Sequence, residues 1–373
     1  MTWSGFQSAV GMQGAHGAPC ITESSTVTPH SPKRKRGRSE AIHSTSDKKE
    51  TQMSDRLPVF KAASVQAAPV FLNREASVEK ACALIDEAGK NGARLIVLPE
   101  TFIPGGPYWA WHLPMRDAAK FSAELFQNAV DIPSQSTDRL GEAARKANAF
   151  VVIGINERDG KSLYNTLLYF GPDGRIIGKH RKFKPTGPEK LVWGDGDGST
   201  HKVYDTEIGK IGGLICGEHA MALPGYTLSA MGEQVHIAAW LGFTLADVSL
   251  AEIASRYHAI AYNTFVVCSQ LLVGEDVFTK LGIDKSQQPV QAWSAIIEGG
   301  SGKVIAGPIG LDEEGIVYGE IDLNKGVPKY FIHENAGHYW PKQFRLYFDD
   351  REMKPLTISH LGEDEMQEKS SEK

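Results

Sequence analysis

Over 373 residues the chain has only four cysteines, Cys20, Cys82, Cys216 and Cys268. They are scattered and form no CxxC pair, which excludes a paired-cysteine zinc site and a disulfide scaffold and leaves free thiols as the expectation. No run of about 18 apolar residues occurs, so no membrane span is expected, and the N-terminus lacks the apolar core of a signal peptide. An intracellular, cytoplasmic protein is expected. No G-x-G-x-x-G opens a helix after a strand. Gly194-Asp195-Gly196-Asp197-Gly198 has neither the flanks of a dinucleotide-binding turn nor the twelfth-position Glu of a calcium loop.

Charge is unevenly spread. Residues 1–56 hold eight Lys/Arg against five Asp/Glu, leaving 32 against 40 for the rest, and the whole carries −5. An acidic body argues against nucleic acid as the main ligand. The first 56 residues are rich in Ser, Thr, Gly and Pro without apolar period, and read as a disordered basic tail. Its run Lys33-Arg34-Lys35-Arg36 reads as solvated chain, with nuclear import as the alternative use. Residues 57–350 read as one domain and 351–373 as a frayed C-terminal tail.

Within the body, strand and helix signals alternate. Phe60–Ala67 and Arg94–Leu98 read as strands around a helix with the stripe Val78, Ala81, Cys82, Ile85 and Ala88. Further strands are expected at Phe150–Asn156, Tyr164–Phe170, Arg175–Lys179, Ile208–Ile215, Val235–Trp240, Phe265–Gln270 and Ile316–Ile321. Helices are expected at Asp138–Ala147, Leu228–Gln234 and Leu250–Tyr262, and a hairpin at Trp293–Glu298 and Lys303–Ala306. Parallel units mixed with hairpins, without an internal linker, argue for an α/β domain in which helices cover a pair of sheets.

Three places put polar residues where they need explaining. Glu100 follows the apolar run Leu95–Leu98, at the carboxyl end where α/β sheets place chemistry, though a capping or salt-bridged acid would read the same. His180-Arg181-Lys182-Phe183-Lys184-Pro185-Thr186 follows a strand and would alone pass for a solvated basic turn. Cys216 ends a glycine-laced strand just before Gly217-Glu218-His219, in a turn that exposes its side chain and offers backbone N–H groups to a developing anion. It is the best nucleophile candidate, because Cys82 and Cys268 sit on apolar patterns and are expected to be packed core thiols. A Cys216–His219 base pair is disfavoured, since residues three apart across a turn seldom face each other as needed.

Taken in order, Leu98-Pro99-Glu100, the 180–186 segment and Gly212-Gly213-Leu214-Ile215-Cys216-Gly217-Glu218-His219 resemble the nitrilase branch of the carbon–nitrogen hydrolase superfamily, over roughly residues 58–350. Phe102–Trp111, Arg256–Ala259, Glu314–Ile316 with Asp322-Leu323, and Gly337–Tyr339 resemble further family signatures. The resemblance implies a single catalytic domain with a four-layer αββα sandwich fold. It also implies a Glu-Lys-Cys triad at Glu100, Lys182 and Cys216 with a positioning Glu at Glu189, a nitrile hydrolysed to acid and ammonia through a thioimidate and thioester, no metal or organic cofactor, and a homo-oligomer. Cyanide hydratase or amidase chemistry on the same triad is the nearest alternative, and a catalytically idle interaction protein the more distant one. Two departures stand out. Gly217 replaces a common Trp and Gly106 a common aromatic, which predicts a roomier pocket unless Met221, Trp240 or Phe243 refills it.

Overall fold

A computed structural model describes residues 56–242, 249–287, 291–325 and 343–353 of the chain, all within the unit Ser54–Lys373. The expectations for residues 1–55, for Phe243, for Gly337–Tyr339 and for most of the C-terminal tail lie outside them.

Among the described residues, twelve strands form two six-stranded mixed sheets. The first contains β1 (Val59–Gln66), β2 (Leu95–Val97), β3 (Phe150–Asp159), β4 (Ser162–Phe170), β5 (Ile176–Arg181) and β12 (Gly315–Asp322), in the order β12-β1-β2-β3-β4-β5. The second contains β6 (Tyr204–Thr206), β7 (Gly209–Ile215), β8 (Val235–Trp240), β9 (Phe265–Gln270), β10 (Ala295–Ile297) and β11 (Val304–Ala306), in the order β11-β10-β9-β8-β7-β6. In each sheet three successive neighbours are parallel, β1-β2-β3 and β7-β8-β9, and hairpins flank them. The helices are α1 (Arg74–Lys90), α2 (Trp109–His112), α3 (Met115–Asn128), α4 (Gln135–Ala147), α5 (Ala222–Ala230), α6 (Leu250–Ala261) and α7 (Glu275–Leu281).

Strand side chains alternate between two cores, as a period of two demands. Leu95, Val97, Phe150, Val152, Leu167 and Tyr169 meet Ile211, Ile215, Val235, Ile237, Phe265 and Val267 between the sheets. The intervening Ile96, Val151, Ile153 and Leu168 pack outward under α1, α3 and α4, while Ala238, Val266 and Cys268 pack outward under α6. This is the αββα layering expected. It explains why the central strands are apolar on both faces rather than alternating with polar residues.

Three local expectations are corrected. The helix read at Leu228–Gln234 is α5, seven residues of which precede Ser229. It ends at the turn Met231-Gly232, where Gly232 takes φ +85°, and Glu233 and Gln234 lead into β8. Helices α3 and α7 were not expected, although Ala118, Phe121 and Leu125 form a buried helical stripe. Cys82 is only half-buried on the edge of α1, its Sγ 3.6 Å from the carbonyl of Arg139, whereas Cys268 is the packed core thiol expected.

Candidate active site

Backbone devices bring four distant segments to the ends of β2, β5 and β7. Glu100 leaves β2 into Thr101, which takes the left-handed φ of +49°. Gly154 on β3 lies directly against this turn. A Cβ there would stand 2.4 Å from the Pro99 carbonyl and from the Thr101 nitrogen, so only glycine lets the strand pass. Lys182 leaves β5 with its N–H still bonded to the Asn165 carbonyl of β4 (2.8 Å), and Gly196 packs against the Arg181 and Lys182 carbonyls from the other side. The glycine-laced 194–198 segment thus braces the backbone of Lys182. Glu189 sits in the short 3-10 turn Gly187–Leu191, its Oε2 accepting from the Thr186 N–H at 2.7 Å. Cys216 begins the 3-10 turn Cys216–Ala220 directly after β7 with φ +49°, a strained conformation for a residue with a side chain.

The ammonium of Lys182 is fully buried between two buried carboxylates, 2.9 Å from Glu100 Oε1 and 3.1 Å from Glu189 Oε2. Asn165 Nδ2 also donates to Glu100 Oε1 at 2.7 Å, while Glu100 Oε2 is buried with no partner among the described residues. Burial would lower the Lys182 pKa, but the charges of Glu100 and Glu189 and the hydrogen bond to Glu100 outweigh it and hold the ammonium charged. Burial raises Glu100, with Lys182 opposing and Glu189 reinforcing. The Cys216 thiol is pushed well up, first by burial and then by the Glu100 charge, against the pull of Lys182. These mutual influences place Cys216 in the same electrostatic pocket as the Glu-Lys-Glu group. The resting thiol keeps its proton and needs a base to lose it.

Several contributors escaped the sequence. Glu218, inside the motif read for its neighbour, accepts from Phe183 N (2.7 Å) and Ile215 N (2.8 Å) and bonds His180 Nε2 (2.9 Å), so one buried carboxylate ties the Lys182 loop to the Cys216 turn. The pairing with His180 and these N–H groups overcomes burial and lowers its pKa. Its role could not be read from a turn position. His219 does not face the thiol, in line with the sequence reading. Its Nδ1 lies 2.8 Å from the Cys216 carbonyl and its Nε2 3.0 Å from His236 Nε2. Glu233, His236 and His258 bring donor atoms within 4.8 Å of one another as a buried trio, and they already bond directly to each other, at 2.8 and 3.1 Å.

The basic segment divides sharply. Lys182 is buried, Arg181 bonds Glu157 (2.6 Å) and Asp159 (2.7 Å), and Lys184 pairs with Asp195 at the surface. At the two small-residue departures the outcome is mixed. Leu241, rather than Met221 or Trp240, occupies the room beside Gly106 among the described residues, its Cδ1 2.7 Å from where a Cβ would stand. Beside Gly217, among the described residues, only Thr186 Oγ1 comes within 4 Å of a would-be Cβ, at 3.1 Å. Trp240 stacks instead on His219, on the outer face of the second sheet.

The carbon–nitrogen hydrolase family model matches residues 61–327. A nitrilase of Bacillus sp. (strain OxB-1) is 40% identical over 316 residues, covering 82% of this chain and 92% of that protein. The chain belongs to the nitrilase branch of the carbon–nitrogen hydrolase family. An aliphatic nitrilase of Rhodococcus rhodochrous is 38% identical over 314 residues, covering 80% of this chain and 85% of its own length. Among solved structures, Saccharomyces cerevisiae Nit3 superposes with a TM-score of 0.58 at 23% identity, over 74% of this chain and 92% of Nit3. An amidase from Nesterenkonia sp. AN1 superposes with a TM-score of 0.56 at 14% identity, over 72% and 93%. These two structural likenesses establish that this carbon–nitrogen hydrolase shares their fold.

Proposed function

We propose that this chain is a nitrilase that converts an organic nitrile to its carboxylic acid and ammonia, with Cys216 as nucleophile, Glu100 as general base, Lys182 as electrophilic proton donor and Glu189 as the group that positions Lys182. The observation that carries the assignment of roles is the buried ammonium clamped between Glu100 and Glu189 beside a thiol on a strained strand-to-turn junction. The naming of its relatives as nitrilases carries the reaction class.

A nitrile carbon is a weak electrophile and calls for a thiolate. The unpartnered Oε2 of Glu100 takes the thiol proton as Cys216 Sγ bonds to the nitrile carbon. The nitrogen gains charge as its triple bond opens, and Lys182, held charged by the two carboxylates, donates to it and gives the thioimidate. Across their hydrogen bond Glu100 passes the thiol proton back to Lys182, and the freed carboxylate then takes a proton from water, whose oxygen adds to the carbon while Lys182 protonates the nitrogen. Glu100 again reprotonates Lys182, and collapse of this tetrahedral species breaks the C–N bond as the hydroxyl proton goes to Glu100 and Lys182 protonates the departing amine, which leaves as ammonia before Glu100 restores the Lys182 proton once more. A thioester remains. A second water, activated in the same way, breaks the C–S bond, releases the acid and restores the thiol. Each step returns Glu100 and Lys182 to their starting protonation, so the cycle needs no external donor.

Ammonia release from a panel of aliphatic, aromatic and arylaliphatic nitriles and cyanide, with chromatography of acid and amide, tests the assignment. Ammonia and acid from wild type but not from Cys216→Ala are expected. Amide without ammonia would move the chain to hydratase chemistry, and turnover of amides alone to amidase chemistry. The open side of Gly217 supports acceptance of bulky nitriles, so benzonitrile-sized substrates are expected to exceed acrylonitrile-sized ones.

Assembly into a homo-oligomer belongs to the same proposal. Its support is the stripe Leu250, Ile253, Tyr257 and Ile260, which lies exposed on the outer side of α6 at helical spacing.

A further inference from the structure

Behind the nucleophile turn, on the outer side of the second sheet, His219, His236, Glu233 and His258 form a buried chain of four hydrogen bonds. They run from the Cys216 carbonyl to His219 Nδ1 (2.8 Å), from His219 Nε2 to His236 Nε2 (3.0 Å), from His236 Nδ1 to Glu233 Oε1 (2.8 Å) and from Glu233 Oε2 to His258 Nε2 (3.1 Å). Proton counting constrains it. Each bond needs one proton, four in all, whereas three neutral imidazoles and an ionised carboxylate bring three.

The direction is fixed at the end nearest the nucleophile. A carbonyl only accepts, so His219 Nδ1 carries a proton, and a neutral His219 then has a bare Nε2. That nitrogen must receive from His236 Nε2–H, which leaves His236 Nδ1 bare and facing a carboxylate. The missing proton therefore lies between His236 and Glu233.

We propose that Glu233, by holding this fourth proton, is a positioning residue for Cys216, completing the donor chain from Glu233 through His236 and His219 that braces the nucleophile's carbonyl on its strained turn. The proposal rests on Cys216 being the nucleophile. Burial favours the neutral acid over an imidazolium: it raises the Glu233 pKa and lowers those of His236 and His219 to about 3. The groups facing the chain are Glu218 and His180, His201, Tyr169 of β4, Tyr262 at the end of α6, and Cys216 itself. Glu218 is bound to His180 and two backbone N–H groups, so it is not an available acceptor for this proton. The backbone of β7 leaves room for the carboxyl only because residue 212 is glycine, where a Cβ would lie 2.3 Å from Glu233 Oε1.

The test compares wild type with Glu233→Gln, Glu233→Leu and His236→Phe. A glutamine amide donates to His236 Nδ1 and accepts from His258 Nε2–H, reproducing the protonated acid without being able to lose the proton. Glu233→Gln is expected to keep kcat at neutral pH within a few-fold and to lose an alkaline decline that wild type shows. Glu233→Leu and His236→Phe are expected to lower kcat roughly tenfold with little change in KM, the scale of one lost hydrogen bond. A second readout needs no activity. A group whose folded pKa is raised stabilises at low pH and loses that contribution as pH rises through the folded pKa, so wild type is expected to lose melting temperature on alkalinisation relative to Glu233→Gln. Glu233→Gln failing as badly as Glu233→Leu would show that the carboxylate charge is needed and overturn the proposal. Superimposable wild-type and Glu233→Gln profiles in both readouts would overturn it as well, as would stoichiometric metal in the purified protein that Glu233→Gln loses. Wild type inactive on every nitrile and amide would instead overturn the nucleophile reading, while the melting comparison would still decide whether Glu233 holds the proton.

Discussion

Lys182 is the residue whose energetics most constrain the rest. A fully buried ammonium costs several kcal/mol unless it is paired and hydrogen-bonded, and here two carboxylates and no water-exposed group serve that purpose. Neutralising Glu100 still leaves the ammonium paired with Glu189, so the roles can be separated by isosteric changes. Glu100→Gln keeps a hydrogen-bond partner for Lys182 but cannot accept the thiol proton, and is expected to lower kcat about 10²–10⁴-fold while leaving the melting temperature nearly unchanged. A kcat within a few-fold of wild type would remove Glu100 from proton transfer. Sequence made Glu100 and Cys216 legible because each follows an apolar strand, whereas Lys182, in a segment that alone passes for a solvated basic turn, and Glu189 were legible only through family resemblance. Asn165, Glu218 and His219 were not legible as participants. Their partners lie on other elements, at separations that no local pattern encodes: Asn165 is 65 residues from Glu100, and Glu218 is 35 from Phe183.

At the scale of elements, the site depends on how closely strands pass one another. Gly154→Ala would drive a methyl into the Pro99–Thr101 backbone, a kind of overpacking that typically costs about 1–3 kcal/mol. Because backbone must move, Glu100 moves with it. Reduced kcat together with a lowered melting temperature is expected, in contrast to Glu100→Gln. Unchanged values for both would mean that the β3 contact does not set the position of Glu100. The long strands and α1, α4 and α6 could be read from apolar periodicity. Helix α5 could be placed only approximately, because its face carries Gly225, Thr227 and Ser229 inward and gives no apolar stripe to count. Helix α7 spans only seven residues, too few for a period to register.

For the whole molecule, buried imidazoles set the acid limit. His219, His236 and His258 are held down to about 3 and His201 to about 4, all chiefly by burial. An unfolded histidine titrates near 6.5. Between that value and the folded ones the unfolded chain binds protons that the native state refuses, so the stability these residues contribute is present above about 6.5 and drains as pH falls. The melting temperature is expected to fall steadily from pH 7 towards 4, and His201→Gln to flatten the slope. A flat wild-type curve over that range would contradict the burial of these neutral rings. The exposed stripe on α6 makes a further expectation: Ile253→Asp places a charge in its centre and should shift light-scattering mass towards the monomer, whereas a monomeric wild type would refute the oligomer.

The central claim, that Cys216 forms the covalent intermediate, is tested most directly by mass spectrometry of enzyme quenched in acid during nitrile turnover, followed by peptide mapping. An acyl or imidoyl adduct on the peptide carrying Cys216 in wild type, absent from Cys216→Ala along with ammonia release, is the predicted result. An adduct on Cys82 or Cys268, or undiminished ammonia from Cys216→Ala, would contradict it.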